Sequence, residues 1–118
     1  MVTKILGVVP DLLFKSKISE TAKRTGIEVK YCSAATLAAR AAEEQPGLIV
    51  IDLNGAAARA SCEAVAALRK NNAEVPVVGF VGHVAADMAA LAQSSGFTRG
   101  LTNGAFTAGC ADVHAGKL

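Results

Sequence analysis

The 118-residue sequence predicts a doubly wound α/β domain in which five parallel strands alternate with five helices. Three observations carry this reading. Short, solid apolar runs recur along the chain and suit strands buried on both faces. Longer stretches with apolar residues every three or four positions separate them and suit crossover helices. Turn residues punctuate the junctions, among them Pro10-Asp11, Gly26, Pro46-Gly47, Asn54-Gly55 and Gly96.

Lys4 to Val9 is the first strand, stopped by Pro10, which has no N–H to donate to a ladder. Phe14, Ile18 and Ala22 then recur every four residues, with Lys15, Lys17, Ser19, Lys23 and Arg24 on the other faces. Asp11 suits an N-cap and Gly26 a C′ position, so a helix runs from about Leu12 to Thr25. Ile27 to Cys32 alternates apolar and polar residues, as a half-exposed strand near a sheet edge does. Ser33 opens a second helix, which passes Leu37 and several alanines and breaks at Pro46-Gly47. Leu48 to Leu53 is the most apolar segment and reads as a central strand. A third helix over Arg59 to Asn71 carries a stripe of Cys62, Val65, Ala66 and Leu68. Val75 to Val81 is the fourth strand; Ala85 to Ser95 is a helix with Met88, Leu91 and Ala92 inward, closed by Gly96. Phe97 to Thr102 is the last strand, and Thr107 to Leu118 a final helix weakened by Gly109 and Gly116. Five such units predict the flavodoxin-like strand order 2-1-3-4-5 within a single domain spanning 1–118.

Composition narrows the function. Twelve basic residues against 10 acidic ones give a net charge of +2, without the clustered basic excess of a nucleic-acid or polybasic membrane binder. Lys15, Lys17, Lys23 and Arg24 form a solvated helix face interrupted by Glu20, with no aromatic residues interleaved. Aromatics make up 4% of the chain and Trp is absent, which argues against a surface that stacks bases. Cys32, Cys62 and Cys110 are far apart and match no zinc spacing, so they read as free, mostly buried thiols in a reducing cytoplasm. No segment approaches the roughly 20 apolar residues of a spanning helix. The expectation is a cytoplasmic protein that engages neither membrane nor nucleic acid.

In a doubly wound sheet the ligand crevice lies beyond the carboxyl ends of the strands, at the switch point between the first and third. The residues delivered there are Val9, Pro10 and Asp11, Asp52 with Leu53 and the Asn54-Gly55 turn, Val81, Gly82 and His83, and Thr102, Asn103 and Gly104. A dinucleotide or P-loop site needs glycines after the first strand, where this chain has Val9-Pro10-Asp11. Asp52 ends an otherwise apolar strand and must be solvated or paired, because an isolated buried carboxylate is costly. Its plain reading is a carboxylate accepting N–H bonds from the Asn54-Gly55 turn. His83 reads as a solvated loop histidine, with contact to an anion or a proton-transfer role as the less favoured alternative. His114 is assigned no role.

The order and spacing of several segments resemble a bacterial response-regulator receiver domain of the CheY-like type over nearly the whole chain. Lys4-Ile5-Leu6 resembles the opening strand, and Pro46 to Asn54 resembles the third strand, which would put the phosphoacceptor aspartate at Asp52. Val75 to Phe80 resembles the fourth strand. Ala92 to Gly104 resembles the receiver stretch Ala-Gly-Ala-x-x-Tyr-Leu-x-Lys-Pro. The departures are informative. By this resemblance the acidic pair that holds Mg²⁺ falls on Val9 and Pro10, with Asp11 one place further on. The hydroxyl residue ending the fourth strand is replaced by Val81, and the Lys-Pro by Asn103-Gly104. Asn donates a hydrogen bond but cannot neutralise phosphoryl charge.

Phosphoryl transfer depends on positioning and charge stabilisation, so losing the metal acids, the lysine and the hydroxyl implies a degenerate, or pseudo, receiver. The preferred expectation is a stand-alone, non-enzymatic two-component (phosphorelay) signalling module, with no output domain attached. It would bind a protein partner, either a sensor kinase or a downstream effector, with aspartyl phosphorylation impaired or absent. No cofactor is expected unless the phosphorylation site works, in which case Asp11 and Asp52 would hold Mg²⁺ weakly. The face built from the fourth helix, fifth strand and fifth helix would serve as a partner or homodimer surface, with Met88 and Leu91 on it. Two alternatives stay open: a working phosphoacceptor at Asp52, and a small flavodoxin-like ligand-binding protein or enzyme using the crevice around Asp52.

Overall fold

The computed structural model describes residues 2–55, 57–71, 74–82 and 86–116. Strands β1 (Lys4–Val8), β2 (Glu28–Tyr31), β3 (Leu48–Asp52), β4 (Val77–Val81) and β5 (Arg99–Thr102) form one sheet in the order β2-β1-β3-β4-β5, every pair parallel. Helices α1 (Leu12–Thr25), α2 (Leu37–Glu44), α3 (Ala58–Lys70), α4 (Ala86–Ser95), α5 (Asn103–Ala108) and α6 (Cys110–His114) cover both faces. This is the doubly wound, flavodoxin-like arrangement that the sequence predicts.

The strand interiors explain the layering. Every residue of β3 is buried, and its side chains alternate between two cores. Ile49 and Ile51 join Leu6, Leu37, Cys62, Val65 and Leu68 under α2, α3 and α4. Leu48 and Val50 join Ile5, Ile18, Phe80 and Phe106 under α1, α5 and α6. Phe80 anchors the second core, with its ring 4.6 Å from that of Phe14 and stacked 4.4 Å from that of Phe106. Among the described residues no helix is long and apolar enough to cross a membrane.

Local signals set the helix ends. Asp11 caps α1, its Oδ1 accepting from the N–H groups of Leu13 (2.8 Å) and Phe14 (3.1 Å). Gly26 closes that helix at φ +74°, and its N–H donates to the Ala22 carbonyl. Helix α2 closes on Gln45 at φ +48°, a left-handed conformation that a β-carbon makes costly.

Three boundaries depart from expectation. Ser33 opens a single 3-10 turn, Ala34–Thr36, held by reciprocal bonds between Ser33 and Thr36, before α2 begins at Leu37. The fourth strand starts at Val77 rather than Val75: Pro76 accepts from the Ile49 N–H through its carbonyl but has no N–H to return. The expected final helix from Thr107 to Leu118 is instead the pair α5 and α6. Thr102 leaves the sheet directly as an N-cap, accepting from the Ala105 N–H at 3.0 Å, so helix starts at Asn103. Gly109 then breaks it, and α6 restarts at Cys110.

That restart gives His114 a position the sequence does not suggest. It is fully buried, with Nε2 3.0 Å from the Ile18 carbonyl oxygen and Nδ1 3.7 Å from Cys110 Sγ. A proton on Nε2 satisfies the carbonyl and leaves Nδ1 to accept from the thiol. Burial holds the imidazole below its ordinary pKa of 6.5, against the opposing effect of the backbone contacts. Burial likewise pushes the thiols of Cys110, Cys62 and half-buried Cys32 up, which keeps them protonated and unreactive near neutral pH.

Candidate functional site

The carboxyl ends of β1, β3, β4 and β5 meet along one edge of the sheet. Asp52 is the last residue of β3 and is 3% exposed. Its Oδ1 accepts two hydrogen bonds from Asn54, from the backbone N–H at 2.8 Å and from Nδ2 at 2.9 Å. The plain reading of Asp52 as a turn-capping carboxylate therefore describes its contacts.

Asn54 does more than form a turn. Its Nδ2 also donates to Asn103 Oδ1 at 3.0 Å, and its Oδ1 accepts from the Gly82 N–H at 2.7 Å. A carboxamide facing an N–H on one side and two oxygens on the other has one consistent orientation, the one that puts Nδ2 towards Asp52. One side chain thus ties the ends of β3, β4 and β5 together. Gly82 fits against it because a β-carbon there would lie 2.7 Å from Asn103 Nδ2 and 3.3 Å from Asn54 Oδ1.

The expected site residues divide accordingly. Asp52, Gly82 and Asn103 are brought together through Asn54. Asp11 is exposed and spends Oδ1 on capping α1, while Pro10 is exposed beside it. Val9, expected to line the crevice, is 2% exposed and belongs to the core with Ile18 and Phe80, because it directly follows β1 and its side chain packs inward. Val81 packs against the other core. Met88 and Leu91, expected on a partner surface, are partly buried against that same core, since the inward stripe of α4 carries both. His83 lies outside the described residues. Among the described residues no three His, Cys, Asp or Glu side chains are grouped to hold a metal ion.

Sequence reasoning missed two features. Asn54 was placed at the crevice as part of a turn, but its joining role was not legible, because its partners Gly82 and Asn103 are 28 and 49 residues away. Leu12 and Leu13 are 77% and 82% exposed beside the crevice. The signal for them was present: the Phe14, Ile18, Ala22 stripe leaves both leucines off the buried face. A cavity of about 370 Å³ also adjoins the site, between α4 and the sheet. It shares Leu53, Val81 and Thr102 with the strand ends but is lined by neither Asp52 nor Asn103.

Solved structures match this architecture along nearly the whole chain. The chemotaxis protein CheY4 of Vibrio cholerae is 18% identical, with 100% of both chains covered and a TM-score of 0.82. A CheY-like response regulator receiver domain protein of Methanospirillum hungatei JF-1 is 14% identical, covering 99% of this chain and 94% of its own, at a TM-score of 0.82. A response regulator from Thermotoga maritima is 10% identical, covering 99% and 98%, at a TM-score of 0.80. The chain has the fold of these receiver domains. No protein-family model matches the sequence, and no curated protein matches it.

Proposed function

We propose that this chain is a receiver-type signalling module that acts by docking to a protein partner, with Mg²⁺-dependent aspartyl phosphorylation impaired. The observation that carries the proposal is the Asn54 clamp. At the position where the receiver resemblance calls for a cation beside the phosphoacceptor, Asn103 offers a carboxamide whose oxygen already accepts from Asn54. Asp52 itself has Oδ1 committed to two N–H donors. A neutral strut occupies the place where phosphoryl charge would need compensation.

The residues present do not fit a Mg²⁺ ion. Mg²⁺ demands near-octahedral oxygen ligation from one or two freely presented carboxylates supplemented by phosphate and water. Here Val9 is in the core, Pro10 has no ligating side chain, and Asp11 is engaged by the first turn of α1. No catalytic step is assigned to the chain. Partner binding is supported instead by the exposed Leu12 and Leu13, which stand at the same end of the sheet as Asp52. The partner expected from the resemblance is a sensor kinase or a downstream effector.

The test is an amide NMR titration with Mg²⁺ and then beryllofluoride, which mimics a phosphoryl group, with Asp52→Asn as the control. The expected result is no saturable shift at residues 52–55, 81–82 or 102–104 up to about 10 mM Mg²⁺. Saturable shifts clustered there and abolished by Asp52→Asn would overturn the proposal in favour of a working phosphoacceptor.

A further inference from the structure

The cavity beneath α4 has an unusual floor. Gly79 of β4 and Gly100 of β5 lie side by side in the ladder. Their neighbours Val78, Phe80 and Leu101 pack into the core on the opposite face, so the pleat turns both glycine positions towards α4. Two adjacent strands therefore lack side chains at neighbouring positions on this face. The two glycines differ in cover. A β-carbon on Gly79 would lie 2.6 Å from Leu53 Cδ1 and 2.7 Å from Phe97 Cε2, whereas one on Gly100 would meet nothing within 4 Å. The open volume stands over Gly100.

The opposite wall is α4, which contributes the small side chains of Ala89 and Ala92. Met88 and Phe97 supply a thioether and a ring, and Gln93 a carboxamide. Arg99 is the charged residue of the lining, but it pairs in register with Val78, and the pleat sends its side chain to the other face. The result is a slot of about 370 Å³, flat on one side and largely apolar on its walls, with Arg99 as the one charged residue lining it among the described residues, within the size range of small-molecule sites, roughly 300–1,000 Å³.

We propose that this slot is a binding site for a small, flat, neutral aromatic molecule carrying one polar substituent. Bare backbone against alanines admits a planar body, Phe97 and Met88 provide ring and sulfur contacts, and Gln93 meets the substituent. Among the described residues no charged side chain faces the slot, which selects a neutral ligand, because an ion held there would go unpaired. The site goes beyond the receiver-type reading and stands without it. It also touches that region mechanically: Leu53 follows Asp52 and Val81 precedes Gly82, so occupancy bears on the strand ends that Asn54 joins.

Indole, which is planar and neutral with one N–H, is the probe, followed by amide and methyl NMR on the full chain. The expected result is saturable shifts confined to Gly79, Gly100, Met88, Ala92 and Gln93, half-saturating at or below about 1 mM. Gly100→Val fills the floor where space is open, and Ala89→Leu narrows the wall from an exposed helix position. Each weakens indole binding at least about tenfold while the thermal midpoint of Gly100→Val does not fall. Benzoate, of similar size but charged, binds more weakly than indole. Failure to saturate up to the solubility of indole overturns the site, as do shifts scattered over the surface or undiminished binding in both variants. Equal binding of benzoate overturns the assignment of a neutral ligand. If Gly100→Val does not fold, Ala89→Leu decides.

Discussion

Replacing Asn54 by alanine removes three side-chain hydrogen bonds at once and leaves the backbone bond to Asp52 in place. A bond to an ionised carboxylate is worth about 1.5–3 kcal/mol net, and each neutral bond about 0.5–1.5 kcal/mol. Asn54 is only half-buried, so water takes over part of each interaction and the low end of each range applies. Asn54→Ala is expected to cost about 2.5 kcal/mol, a large share of the roughly 5–15 kcal/mol that holds a domain folded. Urea denaturation followed by circular dichroism reads this directly. With m near 1.5 kcal/mol per molar, the midpoint falls by about 1.7 M at unchanged m. Asn54→Asp keeps the shape but sets an oxygen against Asp52 Oδ1 and Asn103 Oδ1, so it loses at least as much. Asp52→Asn in that background recovers part of the loss, because one of the two groups can again donate. A loss below about 0.5 kcal/mol for Asn54→Ala would show that the three strand ends do not depend on this side chain, and the clamp reasoning would fail.

Three further outcomes follow from the packing. His114 is buried with its pKa lowered, so the unfolded chain binds the extra proton more readily; stability is flat above about pH 6.5 and falls as the pH drops below it, a slope that His114→Gln should flatten in matched denaturation curves. Gly79→Ala drives a β-carbon into Leu53 and Phe97 and is expected to destabilise by about 1–3 kcal/mol, whereas Gly100→Ala at the next strand is neutral or slightly stabilising, and equal thermal shifts for the two would contradict the cavity geometry. Gln45→Gly relieves the left-handed end of α2 and should raise stability by about 1 kcal/mol; a lower thermal midpoint would mean that the Gln45 side chain contributes more than its backbone costs.

Much of the fold was legible because it depends on local pattern. Solid runs such as Leu48 to Asp52 mark strands buried on both faces, and the Phe14, Ile18, Ala22 repeat marks the inward side of α1. Asp11 and Gly26 mark that helix's ends, since capping is settled within four residues of chain. The same reasoning erred where one residue has two local options. Thr102 reads as strand but also caps, and that second role moved the start of α5. Val9 reads as a loop residue beside Pro10 but is carried into the core by the extended backbone before it.

The site lay on the border between the two kinds of information. Asp52 was conspicuous in sequence because a carboxylate ends an apolar run, and Asn103 and Gly82 were placed nearby by topology alone. What joins them was not visible, since hydrogen bonds between residues 28 and 49 positions apart leave no periodicity to read. Arg69 is a second instance: it donates to the carbonyls of Val75 at 2.7 Å and Gly96 at 3.0 Å, stitching the end of α3 to two loops. The slot over Gly100 is a third, because its existence depends on two glycines meeting in register across strands and on where Phe97 comes to rest. Sequence by itself determined the alternation of elements, the sheet order and the position of the buried Asp52, all of which follow from burial and local backbone preference. Tertiary structure alone decided the Asn54 clamp, the buried place of His114 and the empty floor beneath α4, because each is a relation between side chains that only folding brings within a few ångströms.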